Sequence, residues 1–215
     1  MKISAFFFKL LILFLFAGCA LGGKFTDFQK EKMLREQLLK WEHFRLDGII
    51  EMNYKSFSFR KNITVRKNSA AIRFDIYDSG ILGLHPTPFI SAYVDSVVII
   101  KMSGKSEITR LNFDEQDNQF LFLNYLNPDL ILVHKSEIFR TGKVTIGEIT
   151  CFFSEKMELE KISSADVSVN FVYDNFRNPL TISLYFKNEK IAEIQVDKIN
   201  YEIPEIEAIK SKEQR

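Results

Sequence analysis

Only two cysteines, one tryptophan, three histidines and five prolines occur among the 215 residues of this chain. So few cysteines build no disulfide framework, which leaves a hydrophobic core to hold the fold. The histidines His43, His85 and His134 are scattered and do not fall at metal-ligand spacing. No HExxH, cysteine-pair, GxSxG or phosphate-loop pattern is present. Neighbouring acids, Asp114 with Glu115 and Glu158 with Glu160, sit in polar surroundings and read as solvated faces. The sequence therefore offers no catalytic residue, no metal ligand and no cofactor site, and it reads as a non-enzyme. Neither charge dominates, with 29 basic residues against 28 acidic ones. That balance argues against nucleic acid as a partner, since nucleic acid favours a basic face.

The N-terminus is more informative. Met1-Lys2 opens an apolar stretch, interrupted by Lys9, that runs to Phe16 and ends in Ala17-Gly18-Cys19. A charged start, an apolar segment and small residues before a cut site make a secretory signal. A cysteine placed directly after them is the arrangement of bacterial lipoproteins, in which the thiol is acylated. We expect residues 1–18 to be a lipoprotein signal peptide, Cys19 to be lipidated and residues 19–25 to link the anchor to the domain. The rival reading is an ordinary signal peptide whose last cysteine is incidental. A membrane span fits less well, because it needs about 20 apolar residues and Lys9 would fall inside it. Acylation would hold the chain on a bilayer, each buried methylene contributing about 0.8 kcal/mol. Losing Lys2 and Lys9 with the leader takes the basic count from 29 to 27, against 28 acids. Cys151 would then have no partner. Within Ile149-Thr150-Cys151-Phe152-Phe153 it reads as a small buried hydrophobe rather than a nucleophile.

Residues 26–204 read as one domain and 205–215 as a polar, frayed tail. From Thr26 to Phe44 the pattern is helical. Thr26 and Gln29 form a capping-box pair, and Phe28, Leu34, Leu38, Trp41 and Phe44 make one apolar stripe. Gly48 is expected to end or redirect the helix. Beyond it the period becomes two, as in Ile50, Met52 and Tyr54, in Ile72, Phe74 and Ile76, and in Val167, Val169, Phe171 and Tyr173. Such short strands between turn residues predict a mainly β (α+β) fold, a meandering antiparallel sheet. Asn127-Pro128-Asp129 supports a helix start, with Leu130, Val133, His134 and Ile138 on one side. The run Leu130–Val133 supports a strand equally well, so the segment Asn127–Ile138 stays open between the two.

Phenylalanine is abundant: 21 in all, five of them in the leader. On alternating positions of a curved sheet, apolar residues can line a cavity for acyl chains or fill a plain core. The candidate wall is Phe57, Phe59, Ile72, Phe74, Ile76, Phe171, Leu184 and Phe186, with Leu34, Leu38 and Trp41 of the helix as lid. The stretch Tyr77 to Phe89 is a loop by its glycines and prolines, yet it carries Ile81, Leu82 and Leu84. These either tuck under the sheet or face a membrane or partner.

The order of these features resembles the LolA/LolB superfamily of periplasmic lipoprotein-handling proteins, over about Leu34 to Ile203. The helix ending Trp41-Glu42-His43-Phe44 runs into Gly48 and a first strand. Ser56-Phe57-Ser58-Phe59-Arg60 follows, and then Ala71-Ile72-Arg73-Phe74-Asp75-Ile76-Tyr77 leads into Gly80-Ile81-Leu82-Gly83. In LolB-like proteins the matching strand ends in a Pro-Leu-Gly type loop whose Leu protrudes and helps insert lipoproteins into the membrane. Leu82 matches that Leu, and Ile81 stands where the Pro would be. The resemblance implies an incomplete antiparallel barrel lidded by helices around a cavity for acyl chains. It also implies a protein anchored in the outer membrane, facing the periplasm, that takes lipoproteins or other acylated ligands as partners. A scaffold lipoprotein that binds a protein through the same sheet is the alternative.

Overall fold

The computed structural model describes residues 25–78, 87–95, 97–104, 108–112 and 126–209. Its first element is helix α1, Asp27–Glu42. The capping box forms as expected: the Gln29 backbone N–H donates to Thr26 Oγ1 (3.3 Å) and the Thr26 N–H donates to Gln29 Oε1 (2.9 Å). These bonds satisfy donors that the first helical turn leaves unpaired. The buried face is Leu34, Gln37, Leu38 and Trp41, one helical stripe. Two expected members fall outside it. Phe28 is 79 % exposed, and Phe44 already belongs to the first strand.

No glycine ends the helix. His43 turns the backbone to extended geometry, and the Lys67 ammonium donates to the Glu42 carbonyl at 2.9 Å. Gly48 instead lies inside strand β1, Phe44–Tyr54, at a β-bulge against the last strand. A Cβ there would stand 2.2 Å from the Gln195 carbonyl oxygen. Glycine is needed for that close backbone approach rather than for a helix cap.

The remaining strands are β2 (Phe57–Lys67), β3 (Ile72–Tyr77), β4 (Pro88–Val94), β5 (Val97–Met102), β6 (Ile108–Asn112), β7 (Lys143–Ile146), β8 (Ile149–Phe153), β9 (Leu159–Ser164), β10 (Val167–Tyr173), β11 (Pro179–Phe186) and β12 (Glu189–Asn200). They form one 12-stranded sheet in the order β6-β5-β4-β3-β2-β1-β12-β11-β10-β9-β8-β7. Every neighbouring pair is antiparallel. The sheet is thus a curved, incomplete barrel. One meander runs outward from β1 to the edge β6, and a second returns from the edge β7 to β12, which pairs with β1 in the middle. Tight turns keep the register. Between β11 and β12, Lys187 and Asn188 both take positive φ (50° and 67°), the conformation of a two-residue hairpin whose twist suits the flanking strands.

Between β6 and β7 the chain forms α2, Pro128–Leu132, and α3, Lys135–Thr141. The helical alternative therefore holds for this segment. Asn127 caps α2 by accepting from the Asp129 N–H, and Pro128 occupies the first turn. The inward residues differ from those expected: Ile131 and Ile138 are buried, whereas Leu130 and Val133 are exposed. Gly142, at φ 71°, closes α3 by donating to the Ile138 carbonyl.

The tail is docked as far as it is described. The Arg73 guanidinium donates to the Glu207 carbonyl at 2.7 Å, and Ile209 is buried. The expectation of fraying from Glu205 is corrected for residues 205–209.

Candidate functional site: an apolar sheet face under a helical lid

Register gathers apolar side chains on one face of the sheet. Met52, Ala192, Leu184, Val169, Ile162, Cys151 and Val144 stand opposite one another across seven strands, from β1 to β7. On the other arm Leu46, Val65, Phe74, Ala92 and Ile100 make a matching row. One residue along each strand the chemistry reverses. Asp47, Thr64, Asp75, Ser91 and Lys101 form a polar row on the opposite face. Strand period two produces this contrast, because successive side chains leave opposite sides of the pleat.

Helix α1 lies on the apolar face. The Trp41 ring meets Phe44 and Phe171 edge to face, with centroids 5.5 and 4.9 Å apart. Leu34 and Leu38 are fully buried beside it. All three expected lid residues therefore join the core cluster, together with Ile72, Ile76 and Phe171 of the expected wall. The other wall residues behave differently. Phe59, Phe74 and Leu184 are half-buried and pack against that cluster, as do Ile90, Ile100, Ile182, Ile194 and Val196. Phe186 sits at the hairpin end of β11, half-buried, edge to face with the exposed Tyr54 at 6.3 Å. Phe57 occupies the strand position opposite Tyr54. The face thus has a dry floor under α1 and an apolar margin that keeps contact with water.

The lid is tethered at both ends and along one side. At its N-terminal end Lys30 donates to the Phe139 carbonyl (3.1 Å), and Glu31 accepts from Lys135 (2.8 Å). Lys40 donates to the carbonyl of Arg177 (3.2 Å) in the β10–β11 turn and lies 5.1 Å from the Tyr201 ring. At its C-terminal end stands Lys67, 5 % exposed, whose pKa burial pushes down to about 8 while Glu42 pulls it upward. A cation near the last carbonyls of a helix is favourably placed against the helix dipole.

Lys61 and Lys67 both share the strand parity of Ile63 and Val65, so β2 sends two ammonium groups toward the apolar side. Lys61 pairs with Asp78 and lies 5.2 Å from the Phe89 ring. Sequence reading missed these lysines, although period two through Phe59, Lys61, Ile63, Val65 and Lys67 carries the signal. It also passed over Gln37, which stands at i+3 from Leu34 within the lid stripe. Gln37 is 1 % exposed, and neither of its amide atoms has a hydrogen-bond partner.

Nucleophilic chemistry has little footing among the described residues. Cys151 is buried in the seven-strand row, and burial pushes its thiol up to about 12. A thiol so far from ionising is a packing group. No group of three or more His, Cys, Asp or Glu able to hold a metal occurs among the described residues, and no helix among them is long and apolar enough to cross a membrane. The anchor Cys19 and the loop residues Ile81, Leu82 and Leu84 lie outside the described residues.

No family model matches the sequence, and no curated protein does. Similar solved structures include a LolA superfamily protein from Nitrosomonas europaea, 9% identical, with a TM-score of 0.45 over 85% of this chain and 96% of that one. Another is an outer membrane lipoprotein-sorting protein domain from Vibrio parahaemolyticus, 7% identical, with a TM-score of 0.44 over 81% of this chain and 93% of that one.

Proposed function

We propose that this chain is a lipid-anchored envelope protein that holds the acyl chains of lipoproteins or lipids against its apolar sheet face and helps deliver them to the outer membrane. One observation carries the reading: the apolar face extends past its lid. Phe59, Phe74, Ile90, Ile100, Ile182, Leu184, Ile194 and Val196 stay half-buried where a filled core would enclose them. A contiguous apolar margin in contact with water marks a surface that takes a partner. Acyl chains suit it, since each methylene removed from water contributes about 0.8 kcal/mol without directional demands.

Binding and release are non-covalent. α1 shifts away from the sheet, chains replace its packing on the floor, and a site of higher affinity or a bilayer takes them over. Cys19, acylated, keeps the domain at the membrane, and Ile81, Leu82 and Leu84 form the loop that enters the bilayer at the moment of transfer. The fully buried floor under Leu34, Leu38 and Trp41 favours a second reading, a scaffold whose core is already filled and which binds a protein partner by the same sheet.

Native mass spectrometry of the mature chain with Cys19→Ala, purified from a lipid-containing host, tests the two. Co-purified lipid or acylated peptide is the expected result. A clean unliganded mass that persists after adding fatty-acyl probes leaves the scaffold.

A further inference from the structure

Every charged group on the flanks of α1 that reaches the fold finds a partner: Lys30, Glu31, Glu36 and Lys40 all make an ion pair or a hydrogen bond. Gln37, on the face turned to the sheet, does not. Its Nε2 and Oε1 are both buried and unpaired among Leu34, Leu38 and Trp41 of the same stripe. An unpaired buried amide destabilises a fold, and Leu or Met would fill the position without that penalty. On the sheet side Ser164 Oγ is also buried without a partner. Ser164 stands two residues from Ile162 on β9, hence on the same face as the seven-strand apolar row.

We infer that Gln37 is the polar anchor of the acyl site, pairing with the carbonyl and the adjoining hydroxyl or N–H where an acyl chain joins its head group. The inference rests on the carrier reading above and narrows the ligand class. Apolar contact alone sets neither the depth nor the direction of a chain, whereas one amide on the lid face that covers the chain sets both. The carboxamide is neutral and offers N–H donors on one side and a carbonyl acceptor on the other. It therefore matches an ester or amide linkage, whereas a free fatty-acid carboxylate would gain no charge pairing from Gln37 itself. Neutral acyl esters and amides are the cargo that the site selects.

The test uses the mature Cys19→Ala chain with two probes, monopalmitoylglycerol and its ether counterpart hexadecylglycerol, which differ in the carbonyl alone. Binding of each is measured below its micelle concentration for wild type and for Gln37→Leu, with Gln37→Met as the alternative should the first not fold. Wild type should prefer the ester about tenfold, and the variant should bind both probes alike. The variant should also melt at or above the wild-type temperature, because it removes an unpaired amide. Equal binding of the two probes by wild type, an unchanged ester preference in the variant, or a lower melting temperature overturns the anchor while leaving the carrier reading in place. Failure of wild type to bind either probe overturns both.

Discussion

The side-chain ammonium of Lys67, buried on β2, donates a 2.9 Å hydrogen bond to the carbonyl of Glu42, the last residue of the lid helix. One interaction thus fixes the end of the lid to the sheet on which it rests.

That contact has a pH signature. Burial lowers the Lys67 pKa from 10.5 to about 8 in the folded chain, so between these values the unfolded chain binds more protons. Stability then rises with pH in that interval, because the cost of burying the charge is present in full below about pH 8 and fades toward 10.5. Urea titrations from pH 7 to 10.5 should show wild type gaining on Lys67→Met across this window. Parallel profiles for the two proteins would mean that the ammonium is not desolvated. Amide exchange in the last turn of α1 should quicken in the variant, since the Glu42 carbonyl loses its donor.

Trp41→Ala should cost about 3–5 kcal/mol, the usual loss for a large aromatic in a packed core. The ring faces both Phe44 and Phe171, so its removal takes away the central contact between lid and floor. Circular dichroism in urea measures the loss. A change below about 1 kcal/mol would show that the lid carries little of the fold's stability.

Asp75, 1 % exposed on the polar face, accepts from Arg66, Arg73 and Ser91 at 2.6–3.1 Å. Asp75→Ala leaves two guanidinium groups and a hydroxyl without their acceptor. The expected loss is about 2–3 kcal/mol, below that of a fully enclosed pair because both arginines keep some access to water. Chemical denaturation checks it, and a variant as stable as wild type would show that water replaces the carboxylate at no cost.

Leu82→Glu tests the delivery step. If Leu82 enters the bilayer as proposed, a carboxylate at that position should impair transfer of an acylated cargo to vesicles while the melting temperature stays within about a degree of wild type. Normal delivery by this variant would remove the loop from the mechanism.

Much of the architecture was legible because strand period and capping are local. The alternation Ile72, Phe74, Ile76 and the pair Thr26–Gln29 each mean what they say within a few residues. The errors arose where partners distant in sequence decide. Gly48 looks like a helix terminator beside α1, but its reason is the Gln195 carbonyl pressed against it from β12. Val133 fits the stripe of a single helix, yet the helix breaks at Val133-His134 and turns it to solvent. At the candidate site the apolar residues were readable by type, and the buried polar ones were not. Lys67 and Gln37 are ordinary surface residues by composition, and only the register of β2 and the phase of α1 send them inward.

The pairing of β1 with β12 at the centre of the sheet shapes how this chain assembles. Each meander can form from neighbours in sequence, hairpin by hairpin, with little loop entropy to overcome. The seam, where Leu46 meets Ile199, waits until nearly the whole domain has been synthesised. The last strand is therefore a keystone: a chain cut short before Glu189 does not lose a rim but falls into two half-sheets, each with a raw edge in the middle of the apolar face.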